Sequence, residues 1–128
     1  MTMPIVALAM SAMAAGACVS EPPAEWHYVY ATVIASNCTT SACHSSLSTA
    51  GAVDLHDDAA AYEALTGRRC DDATAPVGGY VDVIAPAQSF LSGLLRRTGP
   101  TGMPPNARLS TTEIERIEAW MSQGAPCD

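Results

Sequence analysis

Two cysteines and a histidine lie close together in the segment NCTTSACH, which covers residues 37–44. Cys38 and Cys43 are separated by four residues, and His44 directly follows the second thiol. Three kinds of chemistry use such side chains. They are a local disulfide, a tetrahedral zinc site, and covalent attachment of haem c through two thioether bonds with the imidazole as an iron ligand.

The zinc alternative needs more ligands than the sequence places nearby. A structural zinc site takes four ligands, usually from two closely spaced pairs, and a second pair is missing because Cys70 and Cys127 are isolated. His27 and His56 are not spaced with any cysteine, so we expect His27 to be a partly exposed helix residue and His56 a solvated loop residue, rather than ligands to zinc or iron. Zinc is therefore a minor alternative.

The four-residue spacer departs from the usual C-x-x-C-H haem-attachment signature. Three residues of a regular helix separate two side chains by about 60°, whereas five separate them by about 140°. A regular helix therefore cannot direct both thiols to one porphyrin, and residues 39–41 must leave it. Their Thr and Ser side chains suit this because they hydrogen-bond to nearby backbone. A disulfide between Cys38 and Cys43 is geometrically possible, but it gives His44 no role.

The segments around these residues predict an all-α fold of four to five short helices around one core. Asn37 is expected to end the first helix just before the cysteine pair. Asp57 can cap the second helix, and Ser110 with Glu113 forms the capping box of the last. No segment alternates long enough for a sheet. The predicted helices cover residues 25–36, residues 58–66, the residues after Pro86, and residues 110–123.

A second chemical feature lies in the Pro-rich loop TGPTGMPP at residues 98–105. With this loop the chain resembles the c-type cytochrome family, in which a helix leads into the Cys-Cys-His site and a loop Met supplies the second axial ligand. The resemblance covers nearly all of residues 25–128 and implies a small cytochrome c-like bundle around one haem. The chain is similar to small cytochrome-like domains of bacterial envelope proteins in four segments: GAVDL (51–55), AYEALTG (61–67), VIAPAQSFLSGLLRRTG (83–99) and LSTTEIERIEAWMSQGAP (109–126).

The resemblance implies roles for four residues. Cys38 and Cys43 would carry the thioether bonds of one haem c, His44 would be the proximal iron ligand, and Met103 the distal ligand. A thioether is a soft ligand that favours ferrous iron. The implied function is single-electron transfer by a carrier rather than an enzyme. The alternatives are a haem domain with a peroxidase-like or sensing role, and a haem-free surface binding module stapled by a disulfide.

The first residues have the composition of an export signal. Residues 5–17 are uncharged and rich in Ala and Met, too short to span a bilayer, and followed by a cysteine as in a bacterial lipobox. We therefore predict a signal peptide over residues 1–17, a lipid anchor at Cys18, a tether over residues 18–24 and the domain over residues 25–128. Ordinary secretion with cleavage near Ala17 is the alternative. Either route places the protein in the periplasm or outer cell envelope, where disulfides persist.

Cys70 and Cys127 remain after the other thiols have been assigned. In an oxidising compartment we predict one disulfide between them, and free thiols or pairing with a partner protein are the alternatives. This disulfide would close a long loop and stabilise the fold mainly by restricting the unfolded chain.

The charge balance restricts the partners. The net charge is −7, and the six basic residues are all Arg. Such a surface repels phosphate backbones and has no clustered basic face, which argues against nucleic-acid binding. An acidic surface favours a redox partner protein with a basic docking patch. The membrane would be reached only through the lipid anchor at Cys18.

Overall fold

The structure is a computed structural model that describes residues 20–72 and 74–128. Within these residues all regular structure is helical, which confirms the predicted all-α class. None of the helices in this part is long and apolar enough to cross a bilayer. The predicted signal peptide and the lipidation site at Cys18 lie outside the described residues. The elements are helix α1 (residues 26–38), α2 (Asp58–Thr66), α3 (Phe90–Arg96) and α4 (Thr111–Ser122), with 3-10 turns at Ala50–Ala52, Pro86–Gln88 and Gly99–Thr101.

Helix α1 is continuous but changes its hydrogen-bond pattern in the middle. Two α-helical turns, Trp26–Val29 and Ala35–Cys38, flank the π-helical segment Tyr30–Ile34. The predicted end at Asn37 is wrong, because the helix continues one residue further. The Asn37 amide group does not end the helix but donates a 2.8 Å hydrogen bond back to the carbonyl oxygen of Val33. The last residue of α1 is therefore the first of the two clustered cysteines.

Helices α2 and α4 begin where their capping residues predict. The Asp57 carboxylate accepts a 2.8 Å hydrogen bond from the amide of Ala60, and Gly67 ends α2 with a left-handed φ of 66°. At the start of α4 the Ser110 hydroxyl accepts from the Glu113 amide, and the Glu113 carboxylate accepts from the Ser110 amide. Each such cap stabilises a helix by about 1 kcal/mol. The sequence therefore predicts these two boundaries correctly.

The core joins α1, α2 and α4 through aromatic rings. The ring centroids of Trp26 and Trp120 lie 4.9 Å apart, and Tyr62 approaches Trp26 edge-on at 5.4 Å. All three side chains are completely buried. Such aromatic pairs add about 0.5–1.5 kcal/mol each beyond the burial of their area. The rest of the core is aliphatic and includes Val29, Val33, Ile34, Leu55, Leu65, Leu95, Ile114, Ile117 and Met121.

Residues 125–128 return to the beginning of α1. The predicted pairing of Cys70 with Cys127 is present as a disulfide. Beside it the Asp128 carboxylate accepts a 2.8 Å hydrogen bond from the backbone amide of Trp26, and the Asp128 carbonyl oxygen accepts one from the next amide at 3.0 Å. A carboxylate at a helix N-terminus satisfies free amide groups and is favoured by the helix dipole. The disulfide thus holds the segment that caps α1.

Candidate functional site

A cavity of about 270 Å³ lies between α1, α3 and the loops that contain residues 42–55 and 103–105. Its wall is mainly aliphatic, and no charged side chain is found among the described residues that line it. The four predicted haem-binding residues, which are far apart in the sequence, all line this cavity: Cys38, Cys43, His44 and Met103. The fold therefore brings two thiols, an imidazole and a thioether to one apolar space.

The two cysteines lie at either end of a short closed loop and are free thiols. Thr39 leaves the helical conformation with φ −100° and ψ 16°, so the residues between the cysteines lie outside α1, as the spacer length predicts. The Thr39 hydroxyl donates a 2.8 Å hydrogen bond to the carbonyl of Ala35. The His44 amide donates to the carbonyl of Cys38 at 3.0 Å and closes the loop. Both thiols are thus held at one cavity.

The thiol of Cys38 is shielded from water. Burial raises its pKa from the ordinary 9.0 to about 11, and the nearby Cys43 thiol adds to the effect because two neighbouring thiolates repel each other. The thiolate is the nucleophilic form of cysteine, so Cys38 is a neutral thiol at neutral pH. Because susceptibility to oxidation follows thiolate character and exposure, we expect this neutral, partly enclosed thiol to resist oxidation.

We predict slow alkylation of Cys38 by iodoacetamide in the haem-free chain. A pKa of about 11 makes the thiolate fraction at pH 7 roughly 100-fold smaller, and the greater nucleophilicity of the more basic thiolate offsets part of this. We expect a rate at least about tenfold below that of a peptide of residues 35–41, rising with pH up to the pKa. Peptide mapping in a Cys43→Ser background measures it. Alkylation at the peptide's rate would contradict the prediction.

The orientation of His44 is set by a hydrogen bond to the neighbouring loop. Its Nδ1 atom lies 3.1 Å from the carbonyl oxygen of Val53. Because a carbonyl oxygen only accepts, Nδ1 carries the proton and Nε2 keeps its lone pair in the neutral ring. Metal-binding histidines generally show this arrangement, in which one ring N–H donates to a carbonyl and the other nitrogen binds the metal. This orientation leaves Nε2 of His44 without the proton and free to accept a hydrogen bond or bind a metal.

Met103 reaches the cavity from the loop that follows α3. Its backbone amide donates a 3.0 Å hydrogen bond to the carbonyl of Leu94, which attaches the loop to the helix. Gly102 is buried, and a Cβ atom at this position would overlap the backbone carbonyl of Arg97. The loop can therefore follow this path only with glycine before the methionine. Met103 itself is half-buried, and Pro104 continues the cavity wall beside it.

The other two histidines lie outside the cavity. His27 pairs with Asp58 at 2.6 Å, and His56 bridges Asp54 and Asp57 at 2.9 and 2.7 Å on an exposed surface. Both side chains are exposed, which agrees with the predicted exposure of His27 on its helix and of His56 in its loop. Within residues 20–72 and 74–128 no group of three or more His, Cys, Asp or Glu side chains is arranged to hold a metal ion.

Sequence reasoning missed two residues of the site. One is Val53, which contributes a backbone carbonyl, and a carbonyl acceptor has no side-chain signature that a sequence could reveal. The other is Tyr80, which lines the cavity and packs against Phe90 with ring centroids 5.4 Å apart. It lies in an irregular segment without helical periodicity. Only the folded loop places it beside α3.

Comparisons with known proteins return no match for this chain. No protein-family model, no curated protein and no solved structure matches it. The comparisons therefore neither support nor contradict the resemblance to c-type cytochromes.

Proposed function

We propose that this protein is a small cytochrome c-like electron carrier that binds one haem c covalently in the cavity between α1 and α3. The observation that carries the proposal is that Cys38, Cys43, His44 and Met103 line one cavity. These are the side-chain types that two thioether bonds and two axial iron ligands require. A methionine that only packs in the core, or a histidine that only lies on the surface, would not be expected to share a cavity with two free thiols.

The residues present fit a haem in three respects. Cys38 and Cys43 are free thiols, which thioether formation requires. His44 directs its Nδ1 to the carbonyl of Val53 and leaves Nε2 for a metal. The wall is apolar, and removing the large apolar surface of a porphyrin from water is favourable by about 25 cal/mol per Å².

Each of these residues has a distinct task in the proposed carrier. A bound haem c supplies the one-electron exchange at its iron. Cys38 and Cys43 would fix its position, so that it cannot dissociate. The hydrogen bond from His44 to Val53 makes the imidazole a stronger donor. The soft sulfur of Met103 would favour the ferrous state and raise the reduction potential.

The proposed cell compartment and partner rest on features of the sequence. The carrier would be exported and anchored in the periplasm or outer cell envelope through a lipid at Cys18. Its net charge of −7 would steer it towards a redox partner protein with a basic docking patch. In this proposal the protein transfers electrons and is not itself an enzyme.

The test is the intact mass of the protein. The full chain is produced in bacteria with and without the cytochrome c ligation machinery. The intact mass of each preparation is then measured by mass spectrometry under denaturing conditions. We expect the first to be heavier by one haem and to stay coloured in a denaturing gel. The Cys38→Ser/Cys43→Ser variant should have the same mass from both hosts.

Equal masses from both hosts, with no tetrapyrrole in the protein, would overturn the proposal. A colourless product in which Cys38 and Cys43 are disulfide-linked would favour the haem-free binding module instead. The comparison between hosts cancels the mass of any lipid at Cys18, because that modification is common to both preparations.

A further inference from the structure

Tyr30 of α1 is connected by hydrogen bonds to the histidine at the cavity. Its hydroxyl donates to the carbonyl oxygen of Leu55 at 3.0 Å. The Leu55 amide donates to the carbonyl of His44 at 2.8 Å, and the His44 ring meets the carbonyl of Val53 at 3.1 Å. Since Val53 and Leu55 are two residues apart in one loop, these bonds link α1 to both the backbone and the ring of His44. We call residues 53–55 the strap.

The strap has few other attachments. The amide of Val53 forms a long 3.3 Å bond to Ala50, and the Asp54 carboxylate bonds within the same loop, to His56. Among the described residues, the Tyr30 hydroxyl makes the only hydrogen bond from a helix to the strap. The position of the strap relative to α1 therefore depends on this bond, on the bond of the Leu55 amide to His44, whose own amide bonds to Cys38 of α1, and on burial of the Leu55 side chain.

Tyr30 is well placed to hold the strap. It begins the π-helical segment Tyr30–Ile34, and such segments occur frequently at functional sites. Its ring packs on Trp26 with centroids 6.0 Å apart, which limits its movement. Burial raises the pKa of the Tyr30 phenol, and Asp57, Asp58 and Asp54 raise it further. The hydroxyl therefore keeps its proton and remains a donor throughout the physiological pH range.

We propose that Tyr30 is a positioning residue for His44. By holding the Leu55 carbonyl it fixes the strap, and the strap presents the Val53 carbonyl that selects the Nδ1–H form of the ring. The effect of Tyr30 on the His44 ring does not need a haem. Its effect on a reduction potential rests on the proposed function. Loss of the Tyr30 hydrogen bond would make the strap more mobile. The hydrogen bond between the His44 ring and the Val53 carbonyl would then break more often.

Tyr30→Phe tests this inference because it removes only the hydroxyl and keeps the ring against Trp26. In the haem-free full chain with ¹⁵N-labelled histidine, we expect solvent exchange of the His44 Nδ1 proton to become about three- to tenfold faster. In the haem-loaded protein we expect a higher midpoint potential, since a less strongly hydrogen-bonded imidazole is a weaker donor.

Tyr28→Phe is the matched control. Tyr28 lies on the same helix and is half-buried, and its ring packs below the guanidinium of Arg116 at 5.6 Å. Its hydroxyl makes no hydrogen bond to another described residue, so this variant should leave the exchange rate and the potential unchanged. If Tyr30→Phe does not fold, 3-fluorotyrosine at position 30, a stronger donor, should slow the exchange instead.

Unchanged exchange of the His44 proton in folded Tyr30→Phe, or equal effects of the two variants, would overturn the positioning role. Unchanged exchange with 3-fluorotyrosine would do the same. A chain that gains no haem but shows faster exchange in Tyr30→Phe refutes the proposed function and supports the role of Tyr30. The two conclusions can therefore fail independently.

Discussion

In the proposed haem-loaded carrier, Met103→Ala is expected to keep the haem covalently attached but to lower its midpoint potential by on the order of 0.1 V or more, since the axial ligands set haem potentials over roughly 0.8 V. The variant removes the only thioether among the described residues that line the cavity. Without this soft ligand the ferrous state of the proposed haem would lose its preference. The vacated space should also admit external ligands such as imidazole or cyanide. Spectroelectrochemical titration and ligand-binding spectra measure both effects.

Met103→Leu separates ligation from packing. Leucine keeps most of the apolar volume, so a change caused by the lost sulfur should appear in both variants, and a change caused by a cavity only in Met103→Ala. Gly102→Ala offers a further comparison, because its Cβ would overlap the carbonyl of Arg97 and displace the loop. An unchanged potential and spectrum in Met103→Ala would remove this residue from the iron site. That outcome would favour an exchangeable distal position and hence a peroxidase-like or sensing role.

Removal of the Cys70–Cys127 disulfide by substituting both residues with Ala is expected to lower the free energy of unfolding by about 4 kcal/mol. The two cysteines are 57 residues apart in sequence, and the entropy of closing a loop of this length in the unfolded chain accounts for this magnitude. The variant also removes the covalent link to the segment that places Asp128 on the first amides of α1. Small domains are stable by about 5–15 kcal/mol in total, so the loss is large.

Urea unfolding followed by far-UV circular dichroism measures this loss. Asp128→Ala is the control, because it removes the side-chain cap but keeps the disulfide, and it should cost about 1 kcal/mol. A double cysteine variant no less stable than Asp128→Ala would contradict the prediction. The C-terminal segment should still dock at low urea, because the guanidinium of Arg68 donates a 2.9 Å hydrogen bond to the carbonyl of Ala125.

The helix boundaries show which part of the fold is encoded locally. The caps of helices α2 and α4 lie at Asp57 and Ser110, and each cap bonds to an amide within the first turn of its helix. Because capping residues lie only a few positions apart, they can be recognised in the sequence. The end of α1 was not predicted correctly. Asn is a residue type that often ends helices. Here the helix continues through Asn37, which follows the π-helical segment Tyr30–Ile34 and whose side-chain amide bonds to the carbonyl of Val33. Neither feature has a local signature.

The candidate site also has a part that the sequence determines locally and a part that only the tertiary structure decides. The sequence determined the chemistry that is available, namely two thiols with a histidine after a spacer too long for one helix, and a methionine in a glycine- and proline-rich loop. Only the tertiary structure decided that His44 and Met103 share one apolar cavity and that the Val53 carbonyl lies 3.1 Å from Nδ1 of the His44 ring. Capping and helical periodicity act over a few residues. A cavity and its hydrogen-bond acceptors arise from packing between distant segments, and that packing cannot be read from spacing.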